Sequence, residues 1–414
     1  MKIVILSDYF DDRGGAVGIA KAAAFGLKSF GHDVSVITTI QNKSLAGKRN
    51  ENGIAVYPIY SNYNLFWRAY ISLRNPQTVG EIKRIINKLK PDVVHAHNIH
   101  THLSYHSLKI AKQSGAKVFL TAHDVMLFHY GKLVEFINLN DLSCPEKFNY
   151  KISIWQKIKR AGKTYNPLHD IIIRHYLKYV NKIFAVSNAL KQALEDNDIK
   201  NLSVIHNGIN INNWRIEEKV IEDFKNKYDI KNKKVILFGS RFSGIKGQDL
   251  ILEIMEKVLK FVPDTVLLIA GKTNETVKKL LILAEKMDIK KNIISPGWLS
   301  GDTFKAAYRA SEVVILPSPY FDSFPLINLE AMACKKPVIA TCFGGSREAV
   351  TDGETGYIIN PFNIEEMAAK IVDLLKNSNK VRAFGEAGYE RVKEKFNLEK
   401  MTQNYLSWYN KVSR

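Results

Sequence analysis

Pro319–Gly356 reads PYFDSFPLINLEAMACKKPVIATCFGGSREAVTDGETG and packs a loop, an apolar helix and a buried strand into one run. Residues 320–325 show no hydrophobic period and end in Pro325, which predicts a loop. Leu326–Cys334 is apolar and reads as a helix; Lys335, Lys336 and Pro337 stop it, and Val338–Thr341 follows as a strand. A helix that begins behind a sharp loop presents unpaired N–H groups and the positive end of its dipole, an arrangement suited to a phosphate. Asp322 lies eight positions before Glu330. One acid then falls at the loop mouth and the other within the first helical turns, where both can face one ligand.

Upstream of this stretch the second half of the chain alternates strand and helix. Lys234–Phe238 reads as a strand; Gly239, Ser240 and Arg241 follow, then a loop with Gly244, Lys246 and Gly247, then a helix over 249–261. Val266–Ala270 is a strand ending at Gly271, a helix covers 274–287, and the strand Ile293–Ser295, which includes Ile294, runs to Gly297. A helix over 303–310 and the strand Val313–Leu316 lead back into the opening stretch. Such alternation predicts a parallel sheet covered on both faces, with ligands at the carboxyl ends of its strands. Arg241 and Lys246, beside glycines in such a loop, can neutralise a diphosphate leaving group as a divalent metal otherwise would. No D-x-D-type acidic metal motif stands at a strand end, so no metal is expected. Two helices, Glu365–Lys376 and Leu398–Val412, close the chain; they cover the second domain, or the last crosses back to the first.

The first half repeats the pattern. Lys2–Leu6 reads as a strand, a loop holds Gly14, Gly15 and Gly18, and a helix runs from Ile19 to Phe30 before the strand Asp33–Thr39. The Gly14-Gly15 pair can bring backbone amides to a phosphate or be a plain turn, since the full G-x-G-x-x-G spacing is missing. Ile54–Pro58 is a strand, Tyr60–Arg74 is aromatic and basic, and a helix over 79–89 precedes the strand Asp92–Ala96. That strand enters a loop dense in histidine: His95, His97, His100, His102 and His106. With no Cys, Asp or Glu among them, they read as a polar rim rather than a metal site. Val118–Thr121 delivers His123 and Asp124 to its carboxyl end, where His123 either polarises a substrate or satisfies a loop carbonyl.

Residues 147–182 carry nine Lys and Arg against the single acid Asp170, with Ile152, Ile154, Trp155 and Ile158 interleaved. Such a segment can lie on an anionic bilayer, or be a solvated helix with a core-facing stripe. Lys182–Val186 resumes the sheet, Ser187 caps a helix over 188–195, and Leu202–Ile205 adds a strand. The charged stretch Asn210–Lys233 marks the domain boundary.

The 414 residues are enough for two domains, and a hydrophobic fraction of 46% is that of a globular chain. No run of about 18 apolar residues is present to span a bilayer, and the opening MKIVILSD is too short for a signal peptide. Cys144, Cys334 and Cys342 are scattered, which fits a reducing cytosol. The net charge of +19 is uneven: residues 1–207 hold 28 Lys and Arg against 15 Asp and Glu. A basic first half can mean nucleic acid, an anionic membrane or an acidic substrate, or simply a highly charged solvated surface in a lysine-rich proteome.

Taken together, these features resemble the retaining, nucleotide-sugar-dependent glycosyltransferases of family 4 with the GT-B fold. The matching motifs are Gly14-Gly15, His123-Asp124, Val186-Ser187-Asn188, His206-Asn207-Gly208, Arg241 with Lys246-Gly247, and Asp322 with Glu330–Ala340. The resemblance implies an α/β chain of two Rossmann-like, doubly wound parallel-sheet domains facing a central cleft. Residues 1–207 would take the acceptor and 208–397 the donor, with 398–414 packing back on the first domain. Glu330 would accept hydrogen bonds from the ribose, and Asp322 would hold hydroxyls of the transferred sugar. The amides of Phe324, Leu326 and Ile327 would meet sugar and phosphate; Arg241, Lys246 and the Gly15 amide, beside Gly14, would grip the pyrophosphate. His123 would lie at the reacting centre, and the base would lodge by Gly271, Ile294 and Gly297.

The implied reaction moves a sugar from a nucleotide-diphosphate sugar, UDP-linked in the first instance and GDP-mannose in the second, to a hydroxyl of a saccharide or lipid-linked acceptor. It proceeds with retention and without cofactor or metal, in surface polysaccharide or glycolipid synthesis at the cytoplasmic face of a membrane. The family usually has Glu where Asp322 stands, and often Gly where Pro325 stands. A non-hydrolysing nucleotide-sugar epimerase shares the architecture, and a basic nucleic-acid-binding protein would share the charge. Nothing here resembles a helix-turn-helix or an aromatic RNA-binding signature.

Overall fold

The structure, a computed structural model, describes residues 1–11, 14–239 and 247–412. The chain divides into two compact units. One comprises Met1–Phe136, Asn149–Gly208 and the stretch from Leu398 onward; the other comprises Ile137–Phe148 and Ile209–Asn397.

The first unit is built on eight strands: β1 (Lys2–Leu6), β2 (Asp33–Ile40), β3 (Arg49–Glu51), β4 (Ile54–Tyr60), β5 (Val93–Ala96), β6 (Lys117–Ala122), β7 (Lys182–Ala185) and β8 (Leu202–Val204). They lie in the order β3-β4-β2-β1-β5-β6-β7-β8, all parallel except β3, which is antiparallel to β4. Residues 3–6 of β1 and all of β5 are buried, as strands covered on both faces must be. The small strand β3 is polar and carries no hydrophobic signal; its mark in the sequence is the Asn52-Gly53 pair, whose φ of 49° and 80° make the two-residue hairpin turn into β4.

Two expectations for this unit change. The first helix runs Gly14–Ser29, so Gly14 and Gly15 are its opening residues rather than a separate loop. Residues 137–148, expected within the first domain, belong to the second unit. Asn360 Nδ2 donates to the carbonyls of Asp141 (3.0 Å) and Ser143 (2.9 Å), and the Phe148 ring packs on Phe343. The last helix, Leu398–Lys411, packs within the first unit against Gly14–Ser29. A Cβ on Gly26 would come within 2.3 Å of Thr402 Oγ1, so the two helices touch backbone to side chain there.

The second unit carries β9 (Lys234–Gly239), β10 (Thr265–Ala270), β11 (Ile293–Gly297), β12 (Val313–Leu316), β13 (Val338–Thr341) and β14 (Gly356–Ile359). The order is β11-β10-β9-β12-β13-β14, fully parallel, with the chain reversing direction of travel between β9 and β12. That reversal is the doubly wound switch point, and the crevice at the carboxyl ends of these two strands is where such sheets bind ligands. The charged stretch 210–233, read from its composition as the domain boundary, holds the helix Glu218–Lys227, which packs on Gly301–Ala310. A helix that the hydrophobic pattern does not announce, Ser378–Lys395, packs on Leu326–Ala333.

Candidate active site

In the second unit the switch point is assembled by close backbone approaches. Gly247, φ +82°, turns the chain into the helix Gln248–Leu259 so near the loop after β12 that a Cβ would sit 2.1 Å from the Pro317 carbonyl oxygen. Gly239 ends β9 beneath Ile327, whose Cδ1 would be 3.3 Å from an added Cβ. The first turn of the helix Leu326–Ala333 therefore stands over the end of β9. Arg241 and Lys246 lie outside the described residues.

The loop before that helix is clamped by its neighbour. Asp322 N–H donates to the Phe343 carbonyl at 3.3 Å, and Gly345 N–H donates to the Asp322 carbonyl at 2.8 Å. Gly344, φ +90°, makes this possible, since a Cβ would lie 2.2 Å from the Asp322 oxygen. Tyr320 donates its hydroxyl to Asp322 Oδ2 at 3.2 Å, so both backbone and carboxylate of Asp322 are positioned. Phe324 is buried against Phe396, with ring centroids 5.6 Å apart, so its side chain belongs to the core. Pro325 is the N-cap of the helix and gives no side-chain cap, which leaves the opening amides of Leu326 and Ile327 without a capping side chain.

Glu330 is partly exposed at the next turn, and Tyr308, from the helix Gly301–Ala310, donates to its Oε2 at 2.6 Å. Burial raises the Glu330 carboxyl to about 7, against the Tyr308 hydrogen bond that lowers it. Trp214 packs edge-on to Tyr308 at 5.5 Å, which holds the phenol in place. Neither Tyr308 nor Trp214 carries a motif, and the sequence reading missed both.

Gly271 and Gly297 meet at the ends of β10 and β11, the Gly271 N–H donating to the Gly297 carbonyl at 3.0 Å. Ile294 is half-buried on β11, and the half-exposed Trp298 follows Gly297, with Lys272 Nζ 5.8 Å from its ring centroid. Among the described residues of this unit, the predicted donor residues Gly271, Gly297, Asp322 and Phe324 thus lie at strand ends or in loops at the carboxyl edge of one sheet, Leu326, Ile327 and Glu330 lie in the helix that follows β12, and Ile294 lies near the start of β11.

In the first unit the same edge holds Gly14, Gly15 and His123. Asp8, directly after β1 and buried, accepts from the amides of Thr101 (2.7 Å), His102 (2.8 Å) and Leu103 (2.7 Å). It fixes the histidine loop onto the switch point between β1 and β5, a role its single position did not disclose. Of these histidines, His95 and His97 form a stack with His123 rather than a rim: the His95 and His97 rings lie 4.4 Å apart and those of His97 and His123 5.2 Å apart. Both ring nitrogens of His95 are engaged, Nδ1 with the Tyr409 hydroxyl at 2.6 Å and Nε2 with Thr121 Oγ1 at 2.8 Å. Burial lowers His95 to about 3, His97 well below the usual range and His123 to about 4, so all three are neutral at pH 7.

This neutrality fixes a tautomer. His97 Nδ1 lies 2.9 Å from His123 Nε2, and His97 Nε2 is buried with no hydrogen-bond partner among the described residues. A proton on His97 Nε2 would be an orphaned buried donor, the costlier defect, so His97 Nδ1–H donates to His123 Nε2. His123 then carries its own proton on Nδ1 and can offer it as a neutral hydrogen-bond donor.

With this geometry in place, the likeness to known proteins is informative. Residues 13–213 match the family described as Glycosyltransferase Family 4, and residues 220–391 match the family described as Glycosyl transferases group 1. An uncharacterized glycosyltransferase of Methanocaldococcus jannaschii is 27% identical over 388 residues, covering 89% of this chain and 87% of that protein. Among solved structures, sucrose-phosphate synthase of Thermosynechococcus elongatus superposes with a TM-score of 0.77 at 18% identity, covering 99% of this chain and 98% of its own. Anabaena HepE, crystallised with UDP and glucose, superposes with a TM-score of 0.75 at 16% identity, each chain covered fully at 100%. At these identities the superpositions speak for the fold.

Proposed function

The chain belongs to the family 4 glycosyltransferases of the GT-B fold, and from that premise we propose that it transfers a sugar, with retention, from a nucleotide-diphosphate sugar to an acceptor hydroxyl. The single observation that carries the donor assignment is the Glu330 carboxylate, held by Tyr308 beside an uncapped helix start and the clamped Asp322, at the switch point of the second sheet. A carboxylate there can accept both ribose hydroxyls, while the amides of Leu326 and Ile327 and the carboxylate of Asp322 meet phosphate and sugar. UDP is the favoured nucleotide, supported by the Anabaena neighbour that binds it, with GDP as the second choice. Arg241 and Lys246 neutralise the leaving diphosphate in this reading, so that no metal ion is called on. His123 Nδ1–H donates to the sugar or to charge developing at the reacting centre. The acceptor hydroxyl attacks from the face that the diphosphate vacates, and a phosphate oxygen takes its proton.

The acceptor is a saccharide or lipid-linked saccharide in surface polysaccharide or glycolipid synthesis, met where the basic first unit touches an anionic membrane. Exposed Ile154, Trp155, Leu168 and Ile171, together with the exposed cations Lys159 and Lys163, support that contact. No helix among the described residues is long and apolar enough to cross a membrane.

Incubation with a panel of nucleotide sugars tests the proposal: wild type releases nucleoside diphosphate, slowly without acceptor and faster with one, and Glu330→Ala binds nucleotide at least tenfold more weakly. Absence of release with every donor, or unchanged affinity in the variant, would overturn it.

A further inference from the structure

The first unit contains a cavity of about 330 Å³, within the size range of small-molecule sites and lined by residues of that unit. Its wall includes Tyr9 and Thr101 from the loops after β1 and β5, so it opens at the carboxyl edge of the sheet. His100, also on the wall, reaches Asp124, neighbour of His123, with Nε2 and Oδ2 3.8 Å apart. Through His100 the cavity thus reaches the residue next to His123.

Its charges are unequal. Glu135 lies 3.3 Å from His129 Nε2 and 2.9 Å from an Arg160 guanidinium nitrogen, and Asp170 is held by Lys157 and by His169 Nδ1 at 3.2 Å. Glu135 and Asp170 are thus paired with cations behind the wall, while Asp8, beside the lining residue Tyr9, is held by the backbone amides of Thr101, His102 and Leu103. Arg68, half-buried on the wall, donates to the Tyr130 carbonyl at 3.2 Å, and no carboxylate among the described residues pairs with it. A half-buried guanidinium that no carboxylate pairs with directly is a site for an anion, most naturally a phosphate that accepts from several of its N–H groups.

The rim is apolar. Leu65 and Phe66 line the cavity while 58% and 45% exposed, and Trp67 and Tyr70 beside them are 54% and 44% exposed. Tyr70 Oη donates to the Tyr165 carbonyl at 3.3 Å, and Asn166 Nδ2 donates to the Ala69 carbonyl at 3.0 Å, joining this rim to the basic segment with exposed Trp155. An aromatic rim above a cationic pocket suits a molecule with an apolar tail and an anionic head.

We infer that this cavity binds the phosphorylated head of an amphiphilic acceptor, with Arg68 on the phosphate and Leu65 and Phe66 on the chain that leads from it. The word acceptor rests on the transferase reading above; the binding chemistry does not. The test is equilibrium binding to the full chain of three probes: octyl phosphate below its micelle concentration, octyl glucoside and inorganic phosphate. Octyl phosphate is expected to bind at least tenfold more tightly than either of the others. Arg68→Gln removes its advantage over octyl glucoside, Arg68→Lys retains part of it, and Phe66→Ala removes its advantage over inorganic phosphate. Equal binding of octyl phosphate and octyl glucoside by wild type overturns the proposal whether or not Arg68→Gln folds; equal binding of octyl phosphate and inorganic phosphate overturns the amphiphile. Nucleoside diphosphate binding to the same preparations separates the two readings: if it is present while the phosphate preference is absent, the cavity assignment alone fails.

Discussion

Glu330 shows how a site can work against the stability of its own fold. Its carboxyl is raised to about 7 in the folded chain from an ordinary 4.5, so between those values the native state binds more protons than the unfolded one. Stability contributed by the protonated form is therefore lost as pH rises toward 7, and above it the ionised carboxylate costs on the order of 2 kcal/mol. Glu330→Gln should stabilise the free protein by about that amount at pH 8 and by much less at pH 5, measured by denaturant unfolding. Nucleotide binding should run the other way. Ribose hydroxyls donate to an ionised carboxylate, so affinity should fall as pH drops below about 7 in wild type, and the Gln variant should bind weakly at every pH. Removing the 2.6 Å hydrogen bond in Tyr308→Phe should move the pH edge of binding upward, because that bond favours the charged form. An edge that stays in place would remove Tyr308 from this role. His97 is a positioning residue of the same kind: His97→Ala frees the tautomer of His123 and should lower kcat about tenfold with little change in KM. His97→Asn, whose side-chain amide can supply the donor, should recover most of it. Equal loss in both variants would point to packing instead.

At the scale of elements, the helix Ser378–Lys395 packs on the helix Leu326–Ala333 that bears the proposed donor residues Leu326, Ile327 and Glu330. A Cβ on Gly385 would lie 2.1 Å from the Lys335 carbonyl, and one on Gly388 would lie 2.8 Å from Met332 Cγ. The first obstacle is backbone and cannot move; the second is a flexible side chain that can. Gly385→Ala should therefore destabilise by about 2–4 kcal/mol and weaken nucleotide binding by disturbing the helix that bears Glu330, despite the roughly 1 kcal/mol of helix propensity that alanine adds. Gly388→Ala should cost less than half as much; a similar cost in thermal or denaturant unfolding would refute this ranking. This helix also shows where the sequence was silent. The parallel strands were legible because, covered on both faces, they are continuous apolar runs such as Val313–Leu316 and Val338–Thr341. Ser378–Lys395 buries only Phe384, Gly385, Gly388 and Val392, a seam of small residues that a search for apolar periodicity passes over. In the site, the loop and helix of 319–334 were legible as a local motif. Tyr308, Trp214, Asp8 and His97 were not, because each acts through a contact to a residue distant in sequence.

At the scale of the whole molecule, the question is what the excess positive charge of the first half does. Many of the basic residues in 147–182 have structural tasks: Lys157 holds Asp170, Arg160 holds Glu135, and Lys151 pairs with Asp198 at 2.9 Å. Lys159 and Lys163, in contrast, are exposed close in sequence to Trp155, which is 79% exposed, and Ile154, which is 66% exposed. A solvated helix has no need to expose a tryptophan and an isoleucine at its first turn, whereas a helix resting on lipid does. The electrostatic part is about 1 kcal/mol per cation near an anionic surface, so reversing two of them is worth roughly 2–4 kcal/mol. Vesicle flotation should thus show at least tenfold weaker binding of Lys159→Glu/Lys163→Glu to phosphatidylserine-containing vesicles, with the remaining difference shrinking as salt is raised. Trp155→Ala should weaken binding to anionic vesicles with little salt dependence, because its contribution is apolar. Neither substitution touches the donor residues, so hydrolysis of the nucleotide sugar in solution should proceed at the wild-type rate. Equal flotation of wild type with neutral and anionic vesicles would assign the excess charge to solvation and leave the exposed Trp155 without a membrane to explain it.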